Sequence, residues 1–163
     1  MTNGHGPRLL GASDAPAMAA VHARCFDKSW SALDMSVHAG RDLCLGLFVD
    51  GELCSFAVLR LSDADAEVLT VATRPDGRGR GLAGLILEEA ANRLRATGLR
   101  HIFLEVAEDN IPARALYDRL GFTPIGRRPA YYARPGGRMA ALTYDLPLET
   151  PYPASLDADP GRG

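Results

Sequence analysis

The sequence predicts an α/β (α+β) fold, a mixed and mostly antiparallel sheet with helices packed on its faces. Two apolar runs, LCLGLFV from Leu43 and ELCSFAVLRLS from Glu52, meet at Asp50-Gly51, a pair suited to the positive φ angles of a two-residue hairpin turn. A glycine-rich stretch from Thr73, TRPDGRGRGLAG, opens an amphipathic helix. The strands flanking that helix are the one pair with room to run parallel, since a parallel pair needs a crossover of a dozen residues or more.

Each element has its own local signal. A short strand, Arg8 to Leu10, comes first. Ser13 and Asp14 before Pro16 mark a helix start, and the run to Phe26 sets Met18, Val21, His22 and Cys25 on one face. A second short helix follows Ser31. The hairpin strands come next, then a third strand from Ala66 to Thr73. After the glycine loop, Leu82, Leu85, Ile86, Glu89, Ala90 and Arg93 trace a helix that Gly98 terminates. HIFLEV is a strand. Asn110 and Pro112 open a helix whose inward face is Ala113, Leu116, Tyr117 and Leu120, and Gly121 stops it. TPIGRRPAYY and MAALTYDL form a last hairpin around Pro135-Gly136-Gly137.

With 163 residues, 47% of them hydrophobic and 23% charged, the chain suits one globular domain over 1–148. The tail from Glu149, rich in Pro and Asp, is expected to be disordered. A formal net charge of -2 gives no general basic field, so direct nucleic-acid binding is not expected. The N-terminal MTNGHGPRLL lacks the features of a signal peptide, and no apolar run is long enough to span a bilayer; the expectation is a cytoplasmic protein, a monomer or weak dimer, without membrane contact. Cys25, Cys44 and Cys54 are odd in number and lack C-x-x-C spacing. A simple hairpin at Asp50-Gly51 would set Cys44 opposite Ala57 and Cys54 opposite Leu47, so even those two are not cross-strand partners, and all three cysteines are expected to be buried small hydrophobes. His5, His22, His38 and His101 show no metal-ligand spacing, and no metal is predicted.

The glycine stretch contains two overlapping signatures. Gly79, Gly81 and Gly84 spell the dinucleotide fingerprint G-x-G-x-x-G, whereas Arg78, Gly81 and Ala83 spell R-x-x-G-x-A. Either one implies a phosphate ligand, because N–H groups at a helix start lack internal partners and carry partial positive charge. Glu105 falls about where a ribose-binding acid would be expected, which favours the first reading. Against it, five residues separate Thr73 from Gly79, and half of the chain has already gone into antiparallel strands.

Downstream, EDNIPARALYDRLGF presents Asn110, Ala113, Leu116, Tyr117, Gly121 and Phe122 as N-x-x-A-x-x-L-Y-x-x-x-G-F. Together with R-x-x-G-x-A, the stretch from Ala66 to Phe122 closely resembles the GNAT superfamily of N-acetyltransferases, and the preceding order of elements suits that fold. CFDKSWS, FLEV and RPAYY resemble the RimI-type branch, whose members acetylate protein N-termini, typically the alanine of a small-subunit ribosomal protein. The resemblance implies acetyl-CoA as cosubstrate and splayed central parallel strands. It assigns the pyrophosphate to the loop of Arg78, Gly79, Arg80, Gly81, Leu82 and Ala83, and the pantetheine arm to Val71, Ala72 and Thr73. Tyr131 and Tyr132 match the paired tyrosines near the acceptor groove, although successive strand residues face opposite ways; Trp30 resembles the tryptophan of the family's helix-connecting segment, a candidate for substrate contact that reads mainly as structural. Where the family often has proline this chain has Ser29, and where it has acidic residues after the last turn this chain has Met139 and Ala140.

A thioester is already activated, so the residues have to orient an amine and manage two protons. An α-ammonium group has a pKa of about 7.7–8.0, so a carboxylate base helps at neutral pH; Glu105 at its strand end is the candidate, and the resemblance implies the same. Tyr117 can donate a proton to the leaving sulfur, while its spacing fits a core aromatic equally well. Asn110 either caps its helix or bonds the cofactor arm. Arg78 and Arg80 are expected to add electrostatic attraction for phosphate. Acetylation of a small amine, an antibiotic or a lysine side chain is the enzymatic alternative, and an acyl-CoA-binding module without turnover is the non-enzymatic one.

Overall fold

The computed structural model describes residues 6–148; the tail segment discussed above lies outside them. Among the described residues, seven strands form one sheet in the order β1-β2-β3-β4-β5-β7-β6. In chain order these are β1 (Arg8–Leu9), β2 (Leu43–Val49), β3 (Glu52–Leu61), β4 (Asp65–Thr73), β5 (His101–Ala107), β6 (Thr123–Arg134) and β7 (Gly137–Pro147). The helices are α1 (Ala15–Ala23), α2 (Ala32–Arg41), α3 (Leu82–Ala96) and α4 (Ile111–Leu120). All neighbouring strands are antiparallel except β4 and β5.

A core lies on each face of the sheet. Leu82, Ile86, Leu87, Ala90, Ala91 and Leu94 make one stripe of α3 and pack on Leu45, Leu59, Ile102 and Leu104. Met18, Val21 and Met35 of α1 and α2 cover Phe56, Val58 and Ala72 on the other face. Ser31 caps α2 in a reciprocal box with Asp34, as Ser-x-x-acid spacing favours. Asp50 and Gly51 both take positive φ, 52° and 80°, the geometry of a type I′ turn.

The structure corrects three details of the sequence reading. α1 ends at Ala23 rather than Phe26, because the backbone tightens: the N–H groups of both Cys25 and Phe26 donate to His22 O. Cys25 therefore leaves the helix face, and its thiol donates to Thr73 O at 3.2 Å. The β2–β3 register slips between Leu47 and Phe48, so Cys44 faces Val58 and Cys54 is the unpaired residue of a β-bulge. All three cysteines are free.

That bulge anchors the glycine stretch. Cys54 O accepts the Arg74 N–H at 2.8 Å, and Cys54 Sγ fills the place a side chain at Gly77 would need. Arg74 is tied to Glu52 and Asp76 at 3.0 and 2.8 Å, which fixes the 3₁₀ turn Pro75–Gly77 ahead of α3. Gly77→Ala is expected to lower stability by about 1–3 kcal/mol through overpacking. Urea unfolding of Gly77→Ala, Cys54→Ala and the double variant checks this, with the double variant less destabilised than the sum of the two single changes.

Candidate active site

β4 and β5 are paired only at Asp65↔His101, Ala66↔Ile102 and Glu67↔Phe103. Beyond that point they part. The cause lies in β4, where the register with β3 slips so that Val58 faces Thr70 while Leu59 faces Val68, leaving Leu69 as an extra residue that bends the strand. β5 stays aligned with β7 through Ala107.

Two cavities open from this parting. A cleft of about 610 Å³ runs from the start of α3 to the start of α4, and a chamber of about 390 Å³ lies between the diverging strands. Phe26, Val71, Asn110 and Tyr117 line both, so the cavities meet there.

One end of the cleft is walled by backbone rather than side chains. Gly79 and Gly81 adopt φ of 78° and 73°, a backbone only glycine takes readily, and a Cβ at either would meet nothing within 4 Å. Gly81 is the N-cap of α3 and offers no side-chain cap, leaving the first-turn N–H groups of Leu82, Ala83 and Gly84 without an in-helix acceptor beside the cleft. Arg78 also lines it; Arg80 is exposed and is not part of the lining. Arg119 joins from α4, a cation the sequence reading missed although it follows Leu116 by three residues on the same helical face. The five residues between β4 and Gly79, the 3₁₀ turn they contain, and the single parallel pair exclude the dinucleotide-fold alternative.

Val71, Ala72 and Thr73 line the cleft along the parted edge of β4. Thr73 is held by Ser55, whose hydroxyl lies 2.8 Å from Thr73 Oγ1. Asn110 caps α4, its Oδ1 accepting the Ala113 N–H at 3.3 Å, so capping is one of its roles while it also borders both cavities. Tyr117 is 8% exposed and packs near Phe122 and Tyr144, with ring centroids at 5.7 and 6.0 Å. Core packing and contact with the cavities thus coexist in one residue. Burial pushes its phenol up to about 12, with the Tyr132 hydroxyl adding to the shift.

Glu105 lines the chamber and faces Arg128, with Oε1 and Nη2 3.3 Å apart. Sequence reasoning missed this partner, for β6 reaches β5 only by way of β7. Tyr132 also lines the chamber; its phenol is raised by burial first and then by Glu105. Tyr131 is exposed, and instead of packing into the core it lies edge-on to Tyr132 beside Arg128. A bulge between Arg128 and Tyr132, with Ala130 at φ 56°, separates the two rings' environments. Trp30 lines neither cavity: it stacks between His22 and His38, with centroids at 5.0 and 4.6 Å, which is the structural role.

Among the described residues no helix is long and apolar enough to cross a membrane, and no group of three His, Cys, Asp or Glu side chains could hold a metal ion.

Residues 15–122 match the model of the acetyltransferase (GNAT) family. A [ribosomal protein bS18]-alanine N-acetyltransferase from Salmonella typhimurium is 31% identical over 141 residues, 86% of this chain and 95% of that relative. The crystal structure of the ribosomal-protein-S18-alanine N-acetyltransferase from Escherichia coli superposes with a TM-score of 0.81 at 30% identity, covering 87% of this chain and 92% of that one. A Salmonella typhimurium acetyltransferase solved with its cofactor acetyl-CoA shares the fold, with a TM-score of 0.77 at 19% identity over 88% of this chain and 93% of that one. The extent of the family match and the identity across most of the chain agree with the parted strands and the glycine loop: this protein belongs to the GNAT family of acetyltransferases.

Proposed function

We propose that the protein transfers the acetyl group of acetyl-CoA to the α-amino group of a protein N-terminus, with the alanine of a bS18-type ribosomal protein as acceptor. The similarity to bS18-alanine N-acetyltransferases over most of the chain supports that acceptor. The observation that carries the chemistry is the meeting of a phosphate-suited cleft and a carboxylate-bearing chamber at Tyr117.

Acetyl-CoA, when bound, supplies an acyl group already activated as a thioester. The N–H groups at the start of α3, with Arg78 beside them, hold the diphosphate, and the parted edge of β4 from Val71 to Thr73 holds the arm. In the chamber Glu105 accepts hydrogen bonds from the acceptor ammonium and then takes a proton from it. The ammonium thereby replaces Arg128, whose side chain is 62% exposed and leaves for water at little cost. As the amine nitrogen bonds to the acetyl carbon and the C–S bond breaks, Tyr117, kept neutral by burial, gives its Oη proton to the departing sulfur where the two cavities join, and the second proton shed by the nitrogen restores the phenol. Tyr132 closes the side of the chamber formed by β6.

Incubating the protein with acetyl-CoA and peptides beginning with Ala, Ser or Met, a blocked peptide with an internal lysine, and small amines tests the acceptor. Thiol release and product mass are expected to favour the Ala peptide, and transfer to small amines alone would overturn the proposal. Glu105→Gln is expected to cut kcat by about 100-fold or more with acetyl-CoA affinity retained, as measured by initial rates and calorimetry. An unchanged rate removes Glu105 as the base.

Tyr117 also predicts a pH effect on stability. Its pKa is raised from 10 to about 12 in the fold, so its contribution is complete below pH 10 and is lost as pH rises through 12. A two-unit shift corresponds to about 2–3 kcal/mol. Urea midpoints measured from pH 9 to 12 are expected to fall more steeply for the unaltered protein than for Tyr117→Phe.

A further inference from the structure

α1 buries a titratable side chain that the chemistry above leaves without a role. His22 is 3% exposed, and its Nδ1 accepts the Trp30 backbone N–H at 3.1 Å. That nitrogen is therefore unprotonated, and the neutral ring carries its proton on Nε2. Nε2 lies 3.3 Å from Thr70 Oγ1, so histidine donates and threonine accepts. The rings of Phe26 and Trp30, with centroids at 4.4 and 5.0 Å, fix the plane of the imidazole. Burial lowers its pKa and keeps it neutral.

A threonine hydroxyl has one proton and two lone pairs. With His22 on a lone pair, the proton of Thr70 is left to donate, and among the described residues Oγ1 has no second hydrogen-bond partner. Thr70 lines the chamber from β4, and Glu105 lines it from β5 across the parting. One wall therefore takes N–H donors, whereas the other needs an acceptor oxygen. A protein N-terminus satisfies both at once, since its α-nitrogen and first peptide carbonyl are joined through a single carbon. The ε-amine of a lysine, or a plain alkylamine, has no oxygen so close to its nitrogen.

We propose that Thr70, oriented by His22, is a specificity-determining residue that donates to the first carbonyl oxygen of the acceptor and so favours α-amino groups over side-chain amines. The idea rests on the N-terminal transfer proposed above. His22 acts only through Thr70 and is a positioning residue.

The test uses the full chain, acetyl-CoA, a peptide beginning with Ala and an N-blocked peptide with an internal lysine. Thr70→Val, close to isosteric, is expected to reduce kcat/KM for the Ala peptide about three- to tenfold, the scale of one hydrogen bond, through the acceptor KM. The KM for acetyl-CoA and the rate on the lysine peptide stay unchanged, and Thr70→Ser restores activity to within about twofold. His22→Phe is expected to give a similar loss alone and little further loss in the Thr70→Val background, whereas a purely structural histidine would give losses that multiply. Equal losses on both peptides, or no loss in Thr70→Val, overturn the assignment to Thr70 while leaving N-terminal transfer standing. Failure of the unaltered protein to acetylate the Ala peptide overturns both. If His22→Phe does not fold, the Thr70 variants still decide the matter.

Discussion

The site depends on two parallel strands that begin as neighbours and then separate. Three residue pairs hold β4 to β5, and past Glu67 the facing edge of β4 has no strand to bond among the described residues. Backbone N–H and C=O groups left this way need water or a ligand, since burying them unpaired is costly. The same parting that creates the chamber therefore creates a strand edge that an extended, amide-containing arm can occupy. Separation is tolerated because each strand is secured on its other side: β4 by β3 and β5 by β7 along its full length.

Bulges control where these strands go. The extra residue Leu69 bends β4 at the point where it leaves β5. Cys54, the extra residue of β3, binds the Arg74 backbone and packs against Gly77, so the glycine stretch leaves β4 in a fixed direction. The bulge before Tyr132, with Ala130 in the left-handed region, costs about a kcal/mol or more in strain. It sets one tyrosine in the chamber and leaves its neighbour outside. On β6, an exposed edge strand, bulges together with Pro124, Pro129 and the arginines also oppose pairing with another chain.

What was legible in the sequence was what short-range chemistry dictates. Asp50-Gly51 announced its turn, Ser31 the start of α2, Asn110 and Pro112 the start of α4, and the stripe from Leu82 to Leu94 its buried face. The glycine stretch marked the loop that lines one end of the cleft, and the spacing around Tyr117 marked the helix that borders both cavities. Features set by distant contacts were not legible. A bulge shifts register by one residue and leaves composition untouched, so the simple hairpin sets Cys44 one residue out and gives Cys54 a partner it lacks. The His22–Thr70 contact spans 48 positions, and Arg128 reaches Glu105 only because β7 lies between their strands. Trp30 matched the family by position, but its partners are histidines on two different helices.

Charge at the chamber mouth bears on the departures at Met139 and Ala140. Ala140 is buried and its carbonyl accepts the Glu108 N–H at 2.8 Å, so this position serves to fasten β7 to the end of β5. The carboxylates near the mouth come instead from the β5–α4 connection and face arginines of β6: Glu108 with Arg127 at 3.0 Å and Asp109 with Arg134 at 3.3 Å. Exposed pairs of this kind contribute about 0–1 kcal/mol each, too little to fix β6 rigidly. Within each pair the charges cancel, which leaves Arg128 and Arg138 as the arginines of this hairpin outside the two pairs. Inside the chamber fewer contacts with water make each hydrogen bond count for more, and the contacts proposed for Glu105 and Thr70 both fall on the first residue of the acceptor. Recognition would thus be centred on the first residue of the acceptor rather than on the charges that follow it.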